Sequence, residues 1–234
     1  MITTVLFDLD GTLLPMDNEE FTRTYFKYLC ARLAPYGYDP KELVDGIWAG
    51  TAAMVKNDGS RSNEDAFWAR FAEVMGDRVY SHREVLEDFY RNEFNRARSI
   101  CGYNPAHPAL VRELKQRGYR VVLATNPIFP SFATENRIRW AGLEPEEFEL
   151  YTTYENFSYC KPNPAYYQEI LRRIGCTAEE CLMVGNDATE DMVAETLGMQ
   201  VYLLTDNLIN KADADISRWP HGSIDGVRTL LGLD

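Results

Sequence analysis

The stretch that decides the fold lies near the start of the chain and reads Val5-Leu6-Phe7-Asp8-Leu9-Asp10-Gly11-Thr12-Leu13. The residues from Ile2 to Phe7 are apolar or β-branched and are followed directly by acids and a glycine, which is typical of a buried strand that feeds a functional loop. Because residues i and i+2 of a strand share one face, Asp8 and Asp10 can approach one ligand as the chain turns at Gly11. We expect one carboxylate to act as a nucleophile and the other to handle a proton.

The segment that follows this strand has helical spacing and almost no strand signal. Four helices are predicted here, at about Asn18–Leu33, Pro40–Lys56, Ser62–Met75 and Ser81–Arg98. A crossover between neighbouring parallel strands is normally much shorter than this. The sequence therefore predicts an all-helical insertion at residues 16–99, and its aromatic residues are expected to form its own core rather than a substrate pocket.

After Gly102 the pattern changes to an alternation of strands and helices. Further strands are predicted at about 120–124, 148–152, 181–184 and 200–204, and helices at about 108–117, 131–140, 164–174 and 189–197. Such an alternation implies a parallel sheet covered by helices on both faces. We therefore predict an α/β, Rossmann-like, doubly wound core built from residues 1–15 and 100–234, with one short closing helix near the end of the chain.

Polar residues are concentrated where these strands end. In an open α/β sheet the ligand lies beyond the carboxyl ends of the strands. The polar residues expected there are Asp8, Asp10, Thr125, Asn126, Lys161, Asn186, Asp187 and Asp191. Clustered carboxylates repel one another unless a cation lies among them, and oxygen ligands without histidine suit Mg²⁺. A metal-bound anionic site beside a lysine suits phosphoryl transfer.

The order of these residues resembles that of the haloacid dehalogenase (HAD) superfamily. The stretch from Val5 to Leu13 is similar to the first motif of that family, and Thr125 and Lys161 occupy the places of the second and third. The run Val184-Gly185-Asn186-Asp187-Ala188-Thr189-Glu190-Asp191 resembles its acidic fourth motif. The resemblance covers essentially the whole predicted core, and the helical insertion is similar to the C1-type cap of the family.

The resemblance implies roles for individual residues. Asp8 would be the nucleophile that forms an aspartyl-phosphate, and Asp10 would be the general acid and then the base. Thr125, with the amide of Asn126, would hold the transferring phosphoryl oxygens, and Lys161 would neutralise charge on the nucleophile and the phosphate. An acid at the second position of the first motif implies phosphoester chemistry, because the dehalogenases of the family lack it.

The resemblance also implies Mg²⁺ as the cofactor. Its ligands would be Asp8, Asp10 through the main-chain carbonyl, and Asp187. Family members commonly have an acid directly after the glycine of the fourth motif, where this chain has Asn186. Asn186 is therefore expected to contact metal-bound water, and Asp191 to support the metal site or to orient Lys161.

Composition narrows the range of partners and compartments. The 24 lysines and arginines are outnumbered by 36 acids, and a net charge of −12 repels nucleic acid and anionic lipid. No stretch approaches the roughly 20 apolar residues of a membrane helix. The five cysteines are scattered, which predicts free thiols and a cytoplasmic protein. We expect a small-molecule phosphoester as the partner, no nucleic acid, no membrane, and a monomer or homodimer.

Three functions remain open at this point. The first is a Mg²⁺-dependent phosphatase that hydrolyses a small phosphorylated metabolite through an aspartyl-phosphate. The alternatives are a phosphomutase of the same family, in which the phospho-enzyme survives until a sugar phosphate rebinds, and a catalytically silent binding protein with the HAD fold.

Overall fold

A single parallel sheet organises the chain, and the computed structural model describes residues 1–233 of it. Its six strands are β1 (Thr4–Phe7), β2 (Arg120–Leu123), β3 (Leu150–Tyr151), β4 (Cys181–Gly185), β5 (Gln200–Leu204) and β6 (His221–Gly222). Their order is β3-β2-β1-β4-β5-β6, and every neighbouring pair is parallel. The predicted α/β, doubly wound fold is confirmed. β1 lies between β2 and β4, so the three strands that carry most of the predicted site residues are adjacent.

Both faces of the sheet are buried, as the apolar runs of the strands require. In β1, Val5 and Phe7 belong to one hydrophobic cluster, whereas Leu6 belongs to the other. Leu182 and Met183 of β4 divide between the same two clusters. Alternate side chains thus anchor β1 and β4 from opposite sides, which fixes the positions of the loops at their carboxyl ends.

Nine α-helices are found within residues 1–233. They are α1 (Asn18–Leu33), α2 (Pro40–Val55), α3 (Asn63–Met75), α4 (Arg78–Ser81), α5 (Arg83–Arg91), α6 (Ala106–Gln116), α7 (Ser131–Trp140), α8 (Pro164–Ile174) and α9 (Ile224–Leu230). The first three begin within one residue of the predicted starts, and a side chain caps each of them, since Asp17, Asp39 and Ser62 accept main-chain N–H groups of the first turn. None of the described helices has the length and apolarity that a membrane span requires.

The helices α1 to α5 follow one another directly in the chain. The described part of residues 18–100 contains no strand, in agreement with the predicted helical character. α2 and α3 pack closely because Gly50 of α2 faces the ring of Phe67, where an added Cβ would lie 2.5 Å from the nearest ring atom. A larger residue at this position would push the two helices apart.

Two predicted helices differ from the structure. The helix expected at 81–98 ends at Arg91, because the Asn92 side chain folds back onto the carbonyl and carboxylate of Asp88, and a 3₁₀ segment at Glu93–Ile100 follows. The helix expected at 189–197 is a 3₁₀ segment over Met192–Leu197. The two-residue strand β6 was not predicted, because two residues are too few to show a periodic pattern.

Candidate active site

The carboxyl ends of β1, β2 and β4 open into one cavity of about 890 Å³. The predicted residues that line it are Asp8, Asp10, Thr125, Asn126, Asn186, Asp187 and Asp191. Lys161 lies directly behind this surface and contacts two of the acids. The structure therefore brings all eight predicted polar residues to one edge of the sheet.

Lys161 lies between two carboxylates. Its side chain is only 1% exposed, and Nζ donates to Oδ1 of Asp8 at 2.9 Å and to Oδ1 of Asp191 at 2.6 Å. Burial alone would lower the pKa of Lys161, but the carboxylates of Asp191 and Asp8 outweigh it and raise that pKa well above its ordinary value. The ammonium group therefore stays charged beside Asp8.

Asp191 fixes the geometry around this lysine. Its second oxygen, Oδ2, accepts the main-chain N–H of Asp187 at 2.9 Å, so both carboxylate oxygens are hydrogen-bonded. Burial raises the pKa of Asp191 to about 6, against the opposing effect of Lys161. Asp191 was expected either to support the metal site or to orient Lys161, and its contacts agree with the second role.

Asp10 has a different cation. Its Oδ2 accepts a hydrogen bond from the guanidinium of Arg137 on α7, a side chain that is 1% exposed and lies 4.4 Å from the centre of the Phe129 ring. Oδ1 of Asp10 is buried and has no hydrogen-bond partner among the described residues. Burial raises the pKa of Asp10 to about 6, and the charge of Arg137 opposes that rise.

Arg137 is the site residue that sequence reasoning missed. It lies in the interior of a helix, without a neighbouring glycine, acid pair or motif that would mark it. An arginine in a helix is normally taken as a solvated residue, because buried charges are rare unless they are paired. The sequence indicated such a residue only indirectly, because two acids at the end of a buried strand are expected to need more than one neighbouring cation.

Thr125 and Asn126 follow β2. The main-chain carbonyl of Thr125 accepts hydrogen bonds from the hydroxyls of Tyr166 at 2.8 Å and Thr152 at 2.5 Å, which fixes the end of the strand. The side chain of Asn126 donates to Oε2 of Glu190 at 3.0 Å. Burial raises the pKa of Glu190 to about 7, so this glutamate is a further titratable group at the edge of the site.

Asn186 is held firmly by its neighbours. Its Oδ1 accepts from the hydroxyl of Thr12 at 3.0 Å, and its Nδ2 donates to the main-chain carbonyl of Asn207 at 2.7 Å. Gly11 lies directly against it at φ +86, and a Cβ there would lie 2.3 Å from Nδ2 of Asn186. The first-motif glycine is therefore required both by its backbone conformation and by this close approach.

Asp187 caps the turn that follows β4. Its Oδ1 accepts the N–H groups of Thr189 at 2.7 Å and of Glu190 at 2.8 Å. The other oxygen has no partner among the described residues, and the side chain lines the cavity. Asp187 thus combines a local structural contact with one oxygen that is available to a ligand.

The oxygens at this edge suit a magnesium ion that keeps part of its water shell, rather than a metal ion enclosed by protein ligands alone. Within residues 1–233, no three acidic, histidine or cysteine side chains come together as a metal cluster. The predicted Mg²⁺ ligands include only two side chains, the carboxylates of Asp8 and Asp187, together with the main-chain carbonyl of Asp10. Mg²⁺ usually keeps several waters and is bound through one or two carboxylates plus substrate phosphate, and the donor set here consists of oxygen only.

The opposite wall of the cavity is aromatic. It is formed by residues of the helices α1, α2, α3 and α5, including Tyr25, Phe26, Trp48 and Trp68. Trp48 is 50% exposed, so the expectation that the aromatic residues form only an internal core is wrong for this side chain. It holds for Phe89, which is fully buried and does not line the cavity.

The sheet and its polar edge are those of an α/β enzyme in which a buried lysine from the loop before α8 contacts the acid that follows β1. A family described as haloacid dehalogenase-like hydrolase matches residues 2–194. The chain therefore belongs to the haloacid dehalogenase-like hydrolases, as its motifs predicted.

Individual relatives are distant but cover the whole chain. Pyrophosphatase PpaX of Bacillus cereus is 24% identical over 232 residues, which span 99% of this chain and 96% of that protein. A HAD phosphatase from Thermococcus onnurineus has a TM-score of 0.62 at 19% identity, with 99% of this chain and 98% of that chain covered. A 2-haloacid dehalogenase from Pseudomonas syringae has a TM-score of 0.63 at 22% identity, with 100% and 98% covered. The fold is therefore shared with a protein named as a phosphatase and with one named as a dehalogenase.

Proposed function

We propose that this hydrolase is a Mg²⁺-dependent phosphatase that acts on a small phosphorylated metabolite through an aspartyl-phosphate on Asp8. The observation that carries the proposal is the pairing of Asp8 with buried Lys161 at the cavity floor, with a second carboxyl, Asp10, two residues away. The second carboxyl favours phosphoester chemistry over dehalogenation. The names of the pyrophosphatase and the HAD phosphatase among its relatives support the same class.

The chain's own residues suffice to describe the two chemical steps. Oδ1 of Asp8 is bound by Lys161, so Oδ2 attacks phosphorus while the bond from phosphorus to the alcohol oxygen breaks. Asp10 donates a proton to the departing alcohol. A water then attacks the aspartyl-phosphate and gives its proton to Asp10, which releases phosphate and restores Asp8. Asp10 acts as acid and then as base, which suits a pKa of about 6.

The remaining residues hold the reacting groups in place. Lys161, oriented by Asp191, neutralises negative charge on Asp8 and the phosphate, while Thr125 and Asn126 bind the phosphoryl oxygens. Arg137 holds the Asp10 carboxyl and is a positioning residue, because its guanidinium contacts Asp10 rather than the cavity.

Magnesium would be held by Asp8, the Asp10 carbonyl and Asp187, with Asn186 contacting metal-bound water. Once bound, the ion would offset the charge of the phosphoryl oxygens during transfer. The second oxygen of Asp187, which has no partner among the described residues and lies at the cavity, supports a cationic ligand at this edge.

We further propose the division of the chain into a core, residues 1–15 and 100–234, and a C1-type cap, residues 16–99. The support is the cavity itself, because its polar floor comes from the strand ends and its opposite wall from α1, α2, α3 and α5. A cytoplasmic protein that acts as a monomer or homodimer, without nucleic acid, remains part of the proposal. The acidic net charge of −12 and five cysteines without disulfides in the described chain support it.

The direct test is hydrolysis of p-nitrophenyl phosphate with Mg²⁺ and after its removal by EDTA. Asp8→Asn should lower kcat by more than about 10³-fold, because the nucleophile is lost, whereas Asp45→Asn, an exposed acid on α2, should leave it unchanged. EDTA should abolish activity and Mg²⁺ should restore it. Full activity of Asp8→Asn would show that another residue attacks phosphorus.

The same protein preparation separates the two alternatives. A phosphomutase would convert a hexose phosphate into its isomer instead of releasing inorganic phosphate. A silent binding protein would bind no Mg²⁺ in calorimetry and would hydrolyse none of a broad panel of phosphoesters.

A further inference from the structure

The cavity is much larger than a phosphate group needs, and its two ends differ in chemistry. Its volume of about 890 Å³ lies within the roughly 300–1,000 Å³ of pockets that enclose whole small ligands. If the phosphoryl group lies against Asp8 and Thr125, the alcohol part of the substrate must occupy the space toward α1, α2 and α3. The character of that space therefore selects the leaving group.

The helical side of that space carries an aromatic surface among its polar side chains. Phe26 of α1 and Trp48 of α2 lie side by side, with ring centroids 5.5 Å apart, and Ile47 and Trp68 continue the same wall. Trp48 keeps half of its surface exposed although it is the largest apolar side chain type. An aromatic surface that faces a cavity gains free energy when an apolar group covers it.

The charges around this space are almost all negative. Among the described residues that line the cavity, Lys211 is the only lysine or arginine, and it is exposed to solvent. Asp17, Glu19 and Glu87 of the helical segment also line the cavity. Arg61, an arginine in the loop between α2 and α3, is exposed and does not line it. A carboxylate or second phosphate on the leaving group would meet no buried cation in this half of the cavity.

From these observations we infer that the leaving group is an alcohol that carries no negative charge and that presents an apolar group to Phe26 and Trp48. The inference rests on the proposed phosphatase function and narrows its substrate class to monoesters of such alcohols. It also separates this chain from the pyrophosphatase among its relatives, because the leaving group of pyrophosphate is itself a phosphate anion.

Two synthetic substrates test this inference. 2-Phenylethyl phosphate and 2-carboxyethyl phosphate are both monoesters of primary alcohols, so they differ mainly in the tail that enters the cavity. We expect kcat/KM to be at least about 10-fold higher for the phenylethyl ester, with most of the difference in KM, since an apolar group of this size is worth about that much discrimination in a pocket. Acetyl phosphate has a leaving group that is too small to reach the aromatic wall, so its rate of hydrolysis measures phosphoryl transfer without any contribution from that wall.

Variants of Trp48 link the preference to the wall. Trp48→Ala should lower the ratio of the two kcat/KM values about 5-fold or more, and Trp48→Arg should lower it further by offering a cation to the carboxylate. Tyr103→Ala removes an aromatic side chain that is 61% exposed outside the cavity, and it should leave the ratio and the acetyl phosphate rate unchanged. Since Trp48 is half exposed, its replacement is not expected to prevent folding.

The outcomes distinguish this inference from the function on which it rests. Hydrolysis of acetyl phosphate with equal or better use of the carboxyethyl ester would overturn the apolar substrate class and leave the phosphatase function intact. A phenylethyl preference that survives in both Trp48 variants would also overturn it, because the wall would not be its source. Failure to hydrolyse any of the three compounds would remove the phosphatase proposal, and the inference with it.

Discussion

Two buried cations serve the paired acids of the first motif, and they do so differently. Lys161 and Arg137 are each 1% exposed, but Lys161 lies between Asp8 and Asp191. Among the described acids, Arg137 pairs with Asp10 alone, and it packs against an aromatic ring. Lys161 stays charged between two acids. Arg137 faces a carboxyl whose pKa burial has raised to about 6, so that carboxyl can carry a proton near neutral pH. The comparison indicates how two acids only two residues apart can take the separate roles of nucleophile and proton donor.

Removal of Lys161 should have the largest effect. Lys161→Met leaves Asp8 and Asp191 buried against each other without a cation, and loss of one partner from a buried ion pair costs about 3–5 kcal/mol. The free energy of unfolding from urea denaturation should fall by that amount, and hydrolysis should be lost. Lys41→Met, which breaks an exposed pair with Asp45, is the control and should leave the unfolding midpoint unchanged. A Lys161→Met protein as stable as the wild type would show that the two acids do not depend on the ammonium.

Removal of Arg137 should cost less stability and act on the chemical step. Arg137→Met leaves one carboxyl, Asp10, without its cation, whereas Lys161→Met leaves two. Since that single carboxyl can take a proton, the free energy of unfolding should fall by only about 1–3 kcal/mol. Because the Asp10 carboxyl then loses its orientation, kcat should fall about 10²-fold with KM nearly unchanged. Arg137→Lys should restore part of kcat.

Arg139 provides the matched control for this prediction. It lies two residues further along α7, is 44% exposed, and pairs with the surface acids Glu135 and Glu144. Arg139→Met should change neither kcat nor KM. An Arg137→Met enzyme with normal kcat, or one whose loss lies in KM, would contradict a positioning role for Arg137.

The difference between Lys161 and Arg137 also shows what could be predicted from the sequence. Asp8, Asp10 and Lys161 stand next to strand ends or in a short loop before a helix, where local residue order determines their place at the sheet edge. Arg137 contacts Asp10 across 127 positions of the chain, because the tertiary fold brings this side chain of α7 to the loop that follows β1. That packing depends on the tertiary arrangement, and no local pattern at Arg137 records it.

The same distinction holds for the fold. Strands with continuous apolar runs, such as Gln200–Leu204, and helices with clear caps, such as Pro164–Ile174, were predicted to the residue. The 3₁₀ segment at Met192–Leu197 was predicted as an α-helix, since apolar spacing alone does not distinguish a short 3₁₀ segment from an α-helix. Asp187 acts both as a cap and as a candidate ligand, and this double role could be recognised only from the observed hydrogen bonds.

The smallest predicted effect is a shift in the pH dependence of the first chemical step. In the proposed mechanism Asp10 must be protonated to release an alkyl alcohol, and burial raises its pKa to about 6. Alcohol release in a single turnover should therefore fall as the pH rises above about 6. Arg137 opposes that rise, so its removal should increase the pKa of Asp10. In Arg137→Met the descending limb should therefore move to higher pH, because the charge that holds the pKa of Asp10 down is lost.

A change of leaving group provides the control for this pH prediction. p-Nitrophenolate can depart as an anion without a proton, so the descending limb should be weak or absent when p-nitrophenyl phosphate replaces an alkyl ester. Since Lys161 stays charged throughout this pH range, it cannot produce the same limb. A limb that is identical for both esters, or one that moves to lower pH in Arg137→Met, would mean that the titrating group is not Asp10 and that Arg137 does not set its proton affinity.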